Sequence, residues 1–320
     1  MSRGTVRRAM SDLVNEGILF RVQGKGTFIT PGKQRQREIL VFSPWNFSED
    51  TISLAFYGNI LLKGIYDAVR KSECSLLMKH FNEESLIKSM ENGALKSNGI
   101  IIINTRKGEN ARLMHKLALS EVPFVVVGSN IGWGDINCVA ADNIGGVKSA
   151  FDYLVSLGHR KISFIGANIE NYDSYERLES FKAQCRAKGI SDKYVYVFEG
   201  KRDGKDEFED IFLGWKKRKD FPSALITGGF SISLIVLEII RKYKLKIPAD
   251  ISVLGFDDFP AASHLNPALT VVKQPLYEMG KESVVLLLNE IEHNKNTGSG
   301  QTRVLPTELI IRSSCAKKRR

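Results

Sequence analysis

Sequence signatures of membrane proteins and of common enzymes are missing from this chain of 320 residues. No apolar run approaches the ~18 residues that a membrane-spanning helix needs, and no apolar signal segment begins the sequence. The motifs GxxxxGK(S/T), HExxH and GxSxG are absent, and no GxGxxG follows the first predicted strand. These absences predict a cytoplasmic protein that is not an enzyme and that uses no cofactor.

Cysteine and histidine are scarce and scattered. The five histidines are not spaced as metal ligands, and the four cysteines form no CxxC pair. Without a secretion signal, the cysteines are expected to remain reduced thiols. Asp257 and Asp258 follow a predicted strand, where binding of a polar ligand is favoured over binding of a metal. No metal site is predicted.

Positive charge is concentrated at the two ends of the chain, although the formal net charge is +10. Residues 1–37 contain eight Lys and Arg against two acidic residues, residues 317–320 are all basic, and the long segment between them is neutral overall. A small basic module at one end predicts a polyanionic partner there. The basic tail covers residues 315–320, and its last four residues are expected to be solvated.

The basic N-terminal module has the pattern of a helix followed by a hairpin. A predicted helix over 5–14 places Val6 and Met10 on one face. Two short predicted strands follow, over 18–22 and 26–29, joined by a turn with a lysine between two glycines. This pattern is typical of the second half of a winged helix-turn-helix. The alternative is a basic surface helix beside an ordinary hairpin.

The side chains of this module suit contacts with DNA. Hydroxyl groups bind phosphate, guanidinium groups pair with guanine edges in the major groove, and glycines let the backbone of a wing approach the duplex. The predicted DNA-binding residues are Ser2, Arg3, Thr5, Arg7, Arg8, Gly24, Lys25, Gly26 and Thr27.

The same module closely resembles the winged helix-turn-helix of GntR-type regulators. The matching stretches are Ser2-Arg3-x-Thr5-Val6-Arg7-x-Ala9, Glu16-Gly17-Ile18-Leu19 and Gly24-Lys25-Gly26-Thr27-Phe28-Ile29. The resemblance implies a recognition helix, a wing over 24–27 and double-stranded operator DNA as the partner. The GntR module normally has further helices upstream. We therefore expect residues 1–30 to be a partial module that is poorly ordered or exposes an apolar face, and that binds DNA weakly.

From about residue 38, apolar runs alternate with helical patterns. The predicted strands are 39–42, 76–78, 100–103, 124–127, 162–165, 194–198, 224–226 and 251–255, and the main predicted helices are 146–157, 175–188, 232–243 and 277–291. Continuous apolar strands between helices predict parallel sheets in an α/β fold. Eight or more such strands favour two doubly wound, Rossmann-like lobes.

This body resembles the effector domain of LacI-family repressors, which is itself similar to the type I periplasmic sugar-binding proteins. The main matching motifs are Val139-x-x-Asp142-Asn143-x-x-Gly146, Leu157-Gly158-His159-Arg160-Lys161-Ile162, Glu176-Arg177-Leu178, Ile251-Ser252-Val253-x-Gly255-Phe256-Asp257-Asp258 and Pro306-Thr307-Glu308-Leu309. The similarity covers about residues 38–314. It implies two lobes joined by three crossovers, with a small polar ligand between them.

The domain bounds follow from these two resemblances. A partial winged helix over 1–30 and a linker over 31–38 precede the effector-binding and dimerisation domain over 39–314. Within that domain the resemblance implies lobe one at about 39–159 and 274–296, and lobe two at about 160–273 and 300–314.

Five residues of the body are implied to bind the effector. They are Asn104, Asp142, Arg177, Asp257 and Gln274. Carboxylates accept hydrogen bonds from sugar hydroxyls, and a guanidinium donates to ring and hydroxyl oxygens. Without the resemblance, Asp142 is equally well explained as the N-cap of the following helix, and Arg177 as a partner of Glu176 or Glu179 in a surface ion pair.

One departure from the LacI pattern bears on the ligand. Gly229-Phe230 stands where that family usually has Asn-Asp, which removes a polar contact and adds an aromatic wall. The implied effector is a monosaccharide or a derivative. A GntR-like head on a LacI-like body resembles the arabinose repressors of Gram-positive bacteria, which implies L-arabinose.

Together these patterns predict a sequence-specific transcription regulator, a repressor, that acts as a homodimer on a pseudo-palindromic operator. A sugar-like effector bound between the lobes would control it. Two alternatives are a sugar-binding protein without DNA-binding activity and a sugar-metabolising enzyme. The basic head argues against the first, and the lack of a catalytic constellation argues against the second.

Overall fold

The computed structural model describes residues 3–15, 19–29, 37–44, 57–91, 98–103, 111–120, 122–128, 136–167, 171–198, 205–293 and 300–318. Within these residues, a two-stranded sheet belongs to the N-terminal head, and two six-stranded sheets form the body.

The head consists of α1 (Arg3–Asn15), β1 (Leu19–Val22) and β2 (Gly26–Ile29). The two strands pair antiparallel, so the predicted helix and hairpin are confirmed. Gly24 and Gly26 have φ of 75° and 116°, which lets the chain turn tightly between the strands. Val6 is 50% exposed, and the rings of Phe20 and Phe28 stack on each other at the surface of the hairpin. An apolar face is therefore exposed on the described part of the head, as expected.

The elements of the body are, in chain order, β3 (Glu38–Ser43), α2 (Asn59–Lys71), β4 (Ser75–His80), α3 (Glu83–Glu91), β5 (Gly99–Ile103), α4 (Ala111–Ala118), β6 (Phe124–Val127), β7 (Cys138–Ala141), α5 (Asn143–Ser156), β8 (Ile162–Ala167), α6 (Tyr172–Lys188), β9 (Val195–Phe198), α7 (Lys205–Arg218), β10 (Ala224–Thr227), α8 (Phe230–Lys242), β11 (Ser252–Phe256), α9 (Pro260–His264), β12 (Thr270–Lys273), α10 (Leu276–His293), β13 (Thr302–Leu305) and β14 (Glu308–Ile310). Every predicted strand and helix of the body is present, with ends shifted by a few residues.

The first sheet has the strand order β13-β7-β6-β5-β3-β4, and every neighbouring pair is parallel. Alternate side chains of β3 point to opposite faces. Ile39 and Val41 pack with residues of α2 and α10, whereas Leu40 and Phe42 pack with residues of α3 and α4. Helices therefore bury both faces of the sheet, which explains why its strands are apolar throughout.

The second sheet has the strand order β14-β12-β11-β10-β8-β9 and is parallel except for β14, which runs antiparallel to β12. On one face, Ala224 and Ile226 share a core with Phe151 of α5 and Phe181 of α6. On the other face, Leu225 shares a core with residues of α7 and α8. Each sheet is thus covered on both sides, and the predicted pair of doubly wound lobes is observed.

The chain crosses between the sheets three times: after β7, after β12 and after β13. These crossings correct the expected lobe bounds. Helix α5 packs against α6, β12 and β14, so lobe two begins near residue 142 and not at residue 160. Strand β13 pairs with β7, so residues 302–305 belong to lobe one. A helix or strand beside a crossing carries the same apolar pattern in either lobe, so periodicity could not assign it.

Within the described residues, no helix is both long and apolar enough to cross a membrane, and no group of three or more His, Cys, Asp or Glu side chains is placed to hold a metal ion. The four cysteines are buried free thiols.

Candidate functional site

The carboxyl ends of three neighbouring strands of the second sheet carry the candidate site. Gly228 and Gly229 follow β10, Asp257 follows β11 directly, and Gln274 follows β12 directly. Since β10, β11 and β12 are parallel neighbours, these residues lie at one edge of the sheet. Ligands of open α/β sheets bind at this edge. Gln274 also lies in the second crossing, so the edge borders lobe one.

Arg177 of α6 is 5% exposed and is held at this edge by its neighbours. Its Nε donates a hydrogen bond to Oδ1 of Asn143 (2.8 Å), and its Nη1 donates to the carbonyl oxygen of Gly228 (2.7 Å). The guanidinium carbon lies 3.8 Å from the centre of the Phe256 ring, which is a cation–π contact. The guanidinium is therefore buried and fixed in orientation.

Two acidic side chains of α6 lie beside Arg177. Nδ2 of Asn143 donates to Oδ1 of Asp173 (3.2 Å) and to Oε2 of Glu176 (3.0 Å). Burial raises the pKa of Asp173 to about 7 and also raises the pKa of Glu176, while the nearby charge of Arg177 lowers both.

Arg177 makes no ion pair within 4.0 Å among the described residues. The surface ion pair that the sequence left open is therefore not formed. Glu179, one of its two candidate partners, pairs with Lys182 at 2.9 Å.

Asp257 is 8% exposed and has φ of 75°, a conformation that side chains other than glycine rarely adopt. Its backbone N–H donates to the carbonyl oxygen of Val272 (2.8 Å), and its Oδ1 accepts from Nε2 of Gln274 (2.5 Å). A Cβ placed on Gly229 would lie 3.8 Å from Oδ2 of Asp257 and, apart from its chain neighbours, would meet no other atom of the described residues within 4 Å. This second oxygen therefore borders a small hollow at Gly229.

Gln274 is 5% exposed, and its Oε1 accepts no hydrogen bond from the described residues. Gln274 and Asp257 line a cavity of about 230 Å³. Ile60 of α2 and Tyr277 of α10 form its opposite wall. Because these two helices pack on the first sheet, the cavity lies between the lobes.

Tyr57, just before α2, reaches the site from lobe one. Burial raises the pKa of its hydroxyl well above its ordinary value; the negative charges of Asp173 and Asp257 raise it further, whereas Arg177 lowers it. These influences place the hydroxyl near all three groups of lobe two. Sequence reasoning missed Tyr57 and Asp173. No motif marks Tyr57, and only the spacing of Asp173, four residues before Arg177 on a helix, could have drawn attention to it.

Asp142 caps α5: its Oδ1 accepts a hydrogen bond from the N–H of Gly145 (2.7 Å). The N-cap that the sequence left open is thus observed. The charge of Asp142 contributes to the raised pKa of Glu176, so this carboxylate also lies near the acidic side chains of α6.

The departure at 229–230 has a structural consequence. Phe230 is 3% exposed and packs edge-to-face on Phe259, with ring centres 5.1 Å apart. Gly229 leaves the hollow beside Asp257 open, while Phe230 forms buried structure behind it. Gly229 supplies no polar side chain to the site, as the sequence indicates. The effect of this on the choice of ligand stays a prediction.

The remaining predicted site residues lie elsewhere. Asn104 and Ser2 are outside the described residues, and the side chain of Arg3 is likewise not described. The other residues predicted to contact DNA are on α1 and at the turn of the hairpin. Thr5, Arg7, Arg8, Gly24, Lys25 and Gly26 are exposed, and Thr27 is half-buried. Arg21 donates to Oγ of Ser11 (3.0 Å) and so ties the hairpin to the helix.

Comparison with known proteins agrees with this architecture. Residues 151–315 match the family described as periplasmic binding protein-like domain. Over 327 residues the chain is 28% identical to the arabinose metabolism transcriptional repressor of Geobacillus stearothermophilus, covering 98% of this chain and 87% of that protein.

Two solved structures share the fold. The transcriptional regulator CelR–cellobiose complex has a TM-score of 0.74 at 21% identity, covering 98% of this chain and 91% of that chain. The lac repressor dimer bound to operator and the anti-inducer ONPF has a TM-score of 0.75 at 21% identity, covering 89% and 96%. These likenesses confirm the predicted α/β fold with two type I periplasmic-binding-protein-like lobes.

Proposed function

Because the chain belongs to the family of periplasmic binding protein-like domains, whose match spans residues 151–315, we propose that it is a transcription repressor controlled by a small polyol. The polyol binds between the lobes, and a GntR-type winged helix over the N-terminal head contacts operator DNA.

One observation carries the proposal for the body. A buried guanidinium, Arg177, and a buried carboxylate, Asp257, face the junction of the lobes without forming an ion pair with each other. A guanidinium supplies only donors and a carboxylate supplies only acceptors, whereas each sugar hydroxyl is both. A polyol can therefore satisfy both groups at once, and the phenol of Tyr57 provides a contact from the opposite lobe.

The relatives support the same class of effector and the same kind of partner. The relative from Geobacillus stearothermophilus is named as an arabinose metabolism repressor, and a structural neighbour is described as a cellobiose complex. L-arabinose is therefore the first candidate. The lac repressor neighbour is described as a dimer bound to operator, which supports a homodimer on double-stranded DNA.

Regulation follows from the position of the ligand at the three crossings. A ligand held by both lobes favours one relative orientation of the lobes, and in a dimer that orientation sets the distance between the two heads. The resulting change in DNA affinity equals the difference in ligand affinity between the two orientations. The alternative, a sugar-binding protein without DNA-binding activity, shares the cleft but lacks this coupling.

Calorimetry with L-arabinose, D-ribose, D-galactose and cellobiose tests the role of the cleft. We expect at least one of them to bind and Arg177→Lys to weaken that binding at least ~10-fold, because an ammonium cannot reproduce the fixed guanidinium contacts. Arg186→Lys is the matched control, since Arg186 is exposed in the last turn of the same helix. Equal affinity of the two variants would place the ligand elsewhere.

A gel-shift titration at stated salt concentrations, with and without the bound sugar, tests the coupling to DNA. We expect the sugar to change the affinity for operator fragments. Sugar binding with no DNA binding at any salt concentration would leave the sugar-binding alternative.

A further inference from the structure

Accepting the proposed polyol cleft, we propose that a basic amine on the ligand strengthens binding there, so that the protein binds an amino sugar in preference to a neutral sugar, L-arabinose included, or to an acidic one. The ammonium group occupies the hollow between Gly229 and Asp257.

Among the described residues, the charges of the cleft are predominantly negative. Arg177, Glu176 and Asp257 lie close enough to Asp173 to act on its pKa, and Asp142 acts on that of Glu176. A second cation, the exposed Lys273, lines the cavity beside Asp257 and Gln274. None of the four carboxylates forms an ion pair with Lys or Arg among the described residues. Their partners are neutral: the side chain of Asn143, the amide of Gln274 and the backbone N–H of Gly145. Asp257 is buried and the other three residues are half-buried, and carboxylates shielded from water are normally paired with cations. A cationic ligand supplies the missing charge, and an acidic ligand adds to the repulsion.

The hydrogen-bonding groups show the same imbalance. Hydrogen-bond acceptors outnumber donors, because an ionised carboxylate can only accept hydrogen bonds. Nε and Nη1 of Arg177 already donate to Asn143 and to the carbonyl oxygen of Gly228. Independently of the acidic groups, the buried Oε1 of Gln274 accepts no hydrogen bond from the described residues. An ammonium offers three donors and no acceptor, whereas a hydroxyl offers one donor with two acceptor lone pairs.

The space available fits a group of this size. A carbon placed at the Cβ position of Gly229 lies 3.8 Å from Oδ2 of Asp257 and, apart from the chain neighbours, meets nothing else within 4 Å in the part of the chain that the structure describes. An ammonium is about as large as a methyl group, so it fits there and can move to hydrogen-bond distance of Oδ2. The φ of Gly229 is 177°, which is extended backbone. Glycine is therefore not required by backbone conformation, and its effect is to keep the hollow open.

The protonation of Asp173 should respond to a cation bound in the cleft. It faces Tyr57 from the segment before α2, Asn143 from α5, Glu176 and Arg177 on its own helix, and Asp257 after β11. Its pKa of about 7 reflects burial with too little compensating positive charge. An ammonium bound nearby lowers that pKa, so amine binding at neutral pH releases a proton from Asp173.

Calorimetry with matched sugar pairs tests this inference. The probes are D-galactosamine with D-galactose and D-glucosamine with D-glucose, together with N-acetyl-D-glucosamine as a neutral amide of similar size and D-glucuronate as an acidic sugar. We expect one amine to bind at least ~10-fold more tightly than its hydroxyl counterpart, equivalent to about 1.4 kcal/mol. N-acetylation should remove the advantage, and D-glucuronate should not bind.

Two further readouts separate charge recognition from general fit. At pH 7 the binding enthalpy of the amine should depend on the ionisation enthalpy of the buffer, and Asp173→Asn should abolish that dependence. Gly229→Ala should reduce the ratio of amine affinity to neutral affinity by filling the hollow, while Gly214→Ala, on the surface of α7, should leave the ratio unchanged.

These experiments distinguish failure of the amine inference from failure of the proposed polyol cleft. If neutral members of the pairs bind as tightly as the amines, this inference is overturned and the polyol cleft stands. If no neutral or aminated sugar binds, both are overturned.

Discussion

Single residues determine how the cleft responds to pH, and Asp173 is one of them. Its carboxyl group lies on α6 one turn before Arg177, where burial outweighs the stabilising charge of the guanidinium and raises its pKa to about 7. Asp142, by contrast, is engaged in capping α5, although its charge still reaches Glu176.

Asp173→Asn should stabilise the protein at and above neutral pH. The ordinary pKa of this carboxyl is 3.8, and in the folded protein it is about 7. Between these values the folded state binds the extra proton, so stability is lost as pH rises through this window, and the full penalty applies above pH 7. Asparagine keeps the acceptor for Asn143 and removes the charge. We expect a gain of about 2 kcal/mol at pH 8, after allowance for solvent screening.

The measurement is the difference in thermal midpoint between the variant and the original protein from pH 4 to pH 8. The difference should vanish near pH 4 and grow towards pH 8. Asp192→Asn, at an exposed position, serves as the control. A difference that is constant across this range would show that Asp173 ionises normally in the folded protein.

Among the elements, α2 and α10 pack against each other with their backbones in close approach. Gly64 of α2 faces the backbone of Tyr277, and Gly280 of α10 faces the backbone of Leu61. A Cβ at Gly64 would lie 2.1 Å from the carbonyl oxygen of Tyr277, and one at Gly280 would lie 2.2 Å from the carbonyl oxygen of Leu61. Glycine at these two positions allows the helices to approach until their backbones touch. Through this packing, α10 lies against the first sheet directly after the second crossing. Gln274 precedes α10 by two residues, so the same packing positions Gln274.

Gly280→Ala should therefore destabilise the protein, because neither helix backbone can move by the required distance without disturbing the first core. We expect a decrease of about 3 kcal/mol in the free energy of unfolding, at the upper end for overpacked positions, visible as a lower thermal midpoint. Gly214→Ala in α7 is the matched control, since the atoms nearest to its Cβ would be those of the flexible Arg218 guanidinium, at 3.5 Å or more. It should be neutral or mildly stabilising, because alanine favours helix. A similar response of both variants would mean that the close approach does not limit stability.

In the molecule as a whole, the head and the body differ in the packing that stabilises their folds. The body buries three apolar cores between sheets and helices. In the head, α1 packs chiefly on β1, and β1 packs on β2. The charge divides in the same way, since the first 37 residues are strongly basic and the body is neutral. The two parts are therefore expected to unfold and to bind their partners separately.

Removing residues 1–36 should leave the thermal midpoint of the body within ~2 °C of the original and should keep its response to ligand, while DNA binding disappears. The measurements are differential scanning fluorimetry and a gel shift. The control is the full chain with Arg7→Ala and Lys25→Ala, which keeps the head and should lower the salt slope of DNA binding by about 1 for each phosphate that is no longer neutralised. A large drop in midpoint on removal of the head would show that the head stabilises the body.

The class of fold and most of its elements follow from the amino-acid pattern alone. Apolar runs such as 100–103 become buried parallel strands because strands covered on both faces must be apolar throughout. The sequence also identified Arg177 and Asp257 through their motifs. Three features depend on the tertiary structure: α5 packs with lobe two, Tyr57 lies close enough to Asp173 to be influenced by its charge, and the Oδ2 of Asp257 borders a hollow at Gly229. Local pattern specifies which face of an element is apolar. It does not specify which lobe that face will meet, because this depends on contacts between residues far apart in the chain.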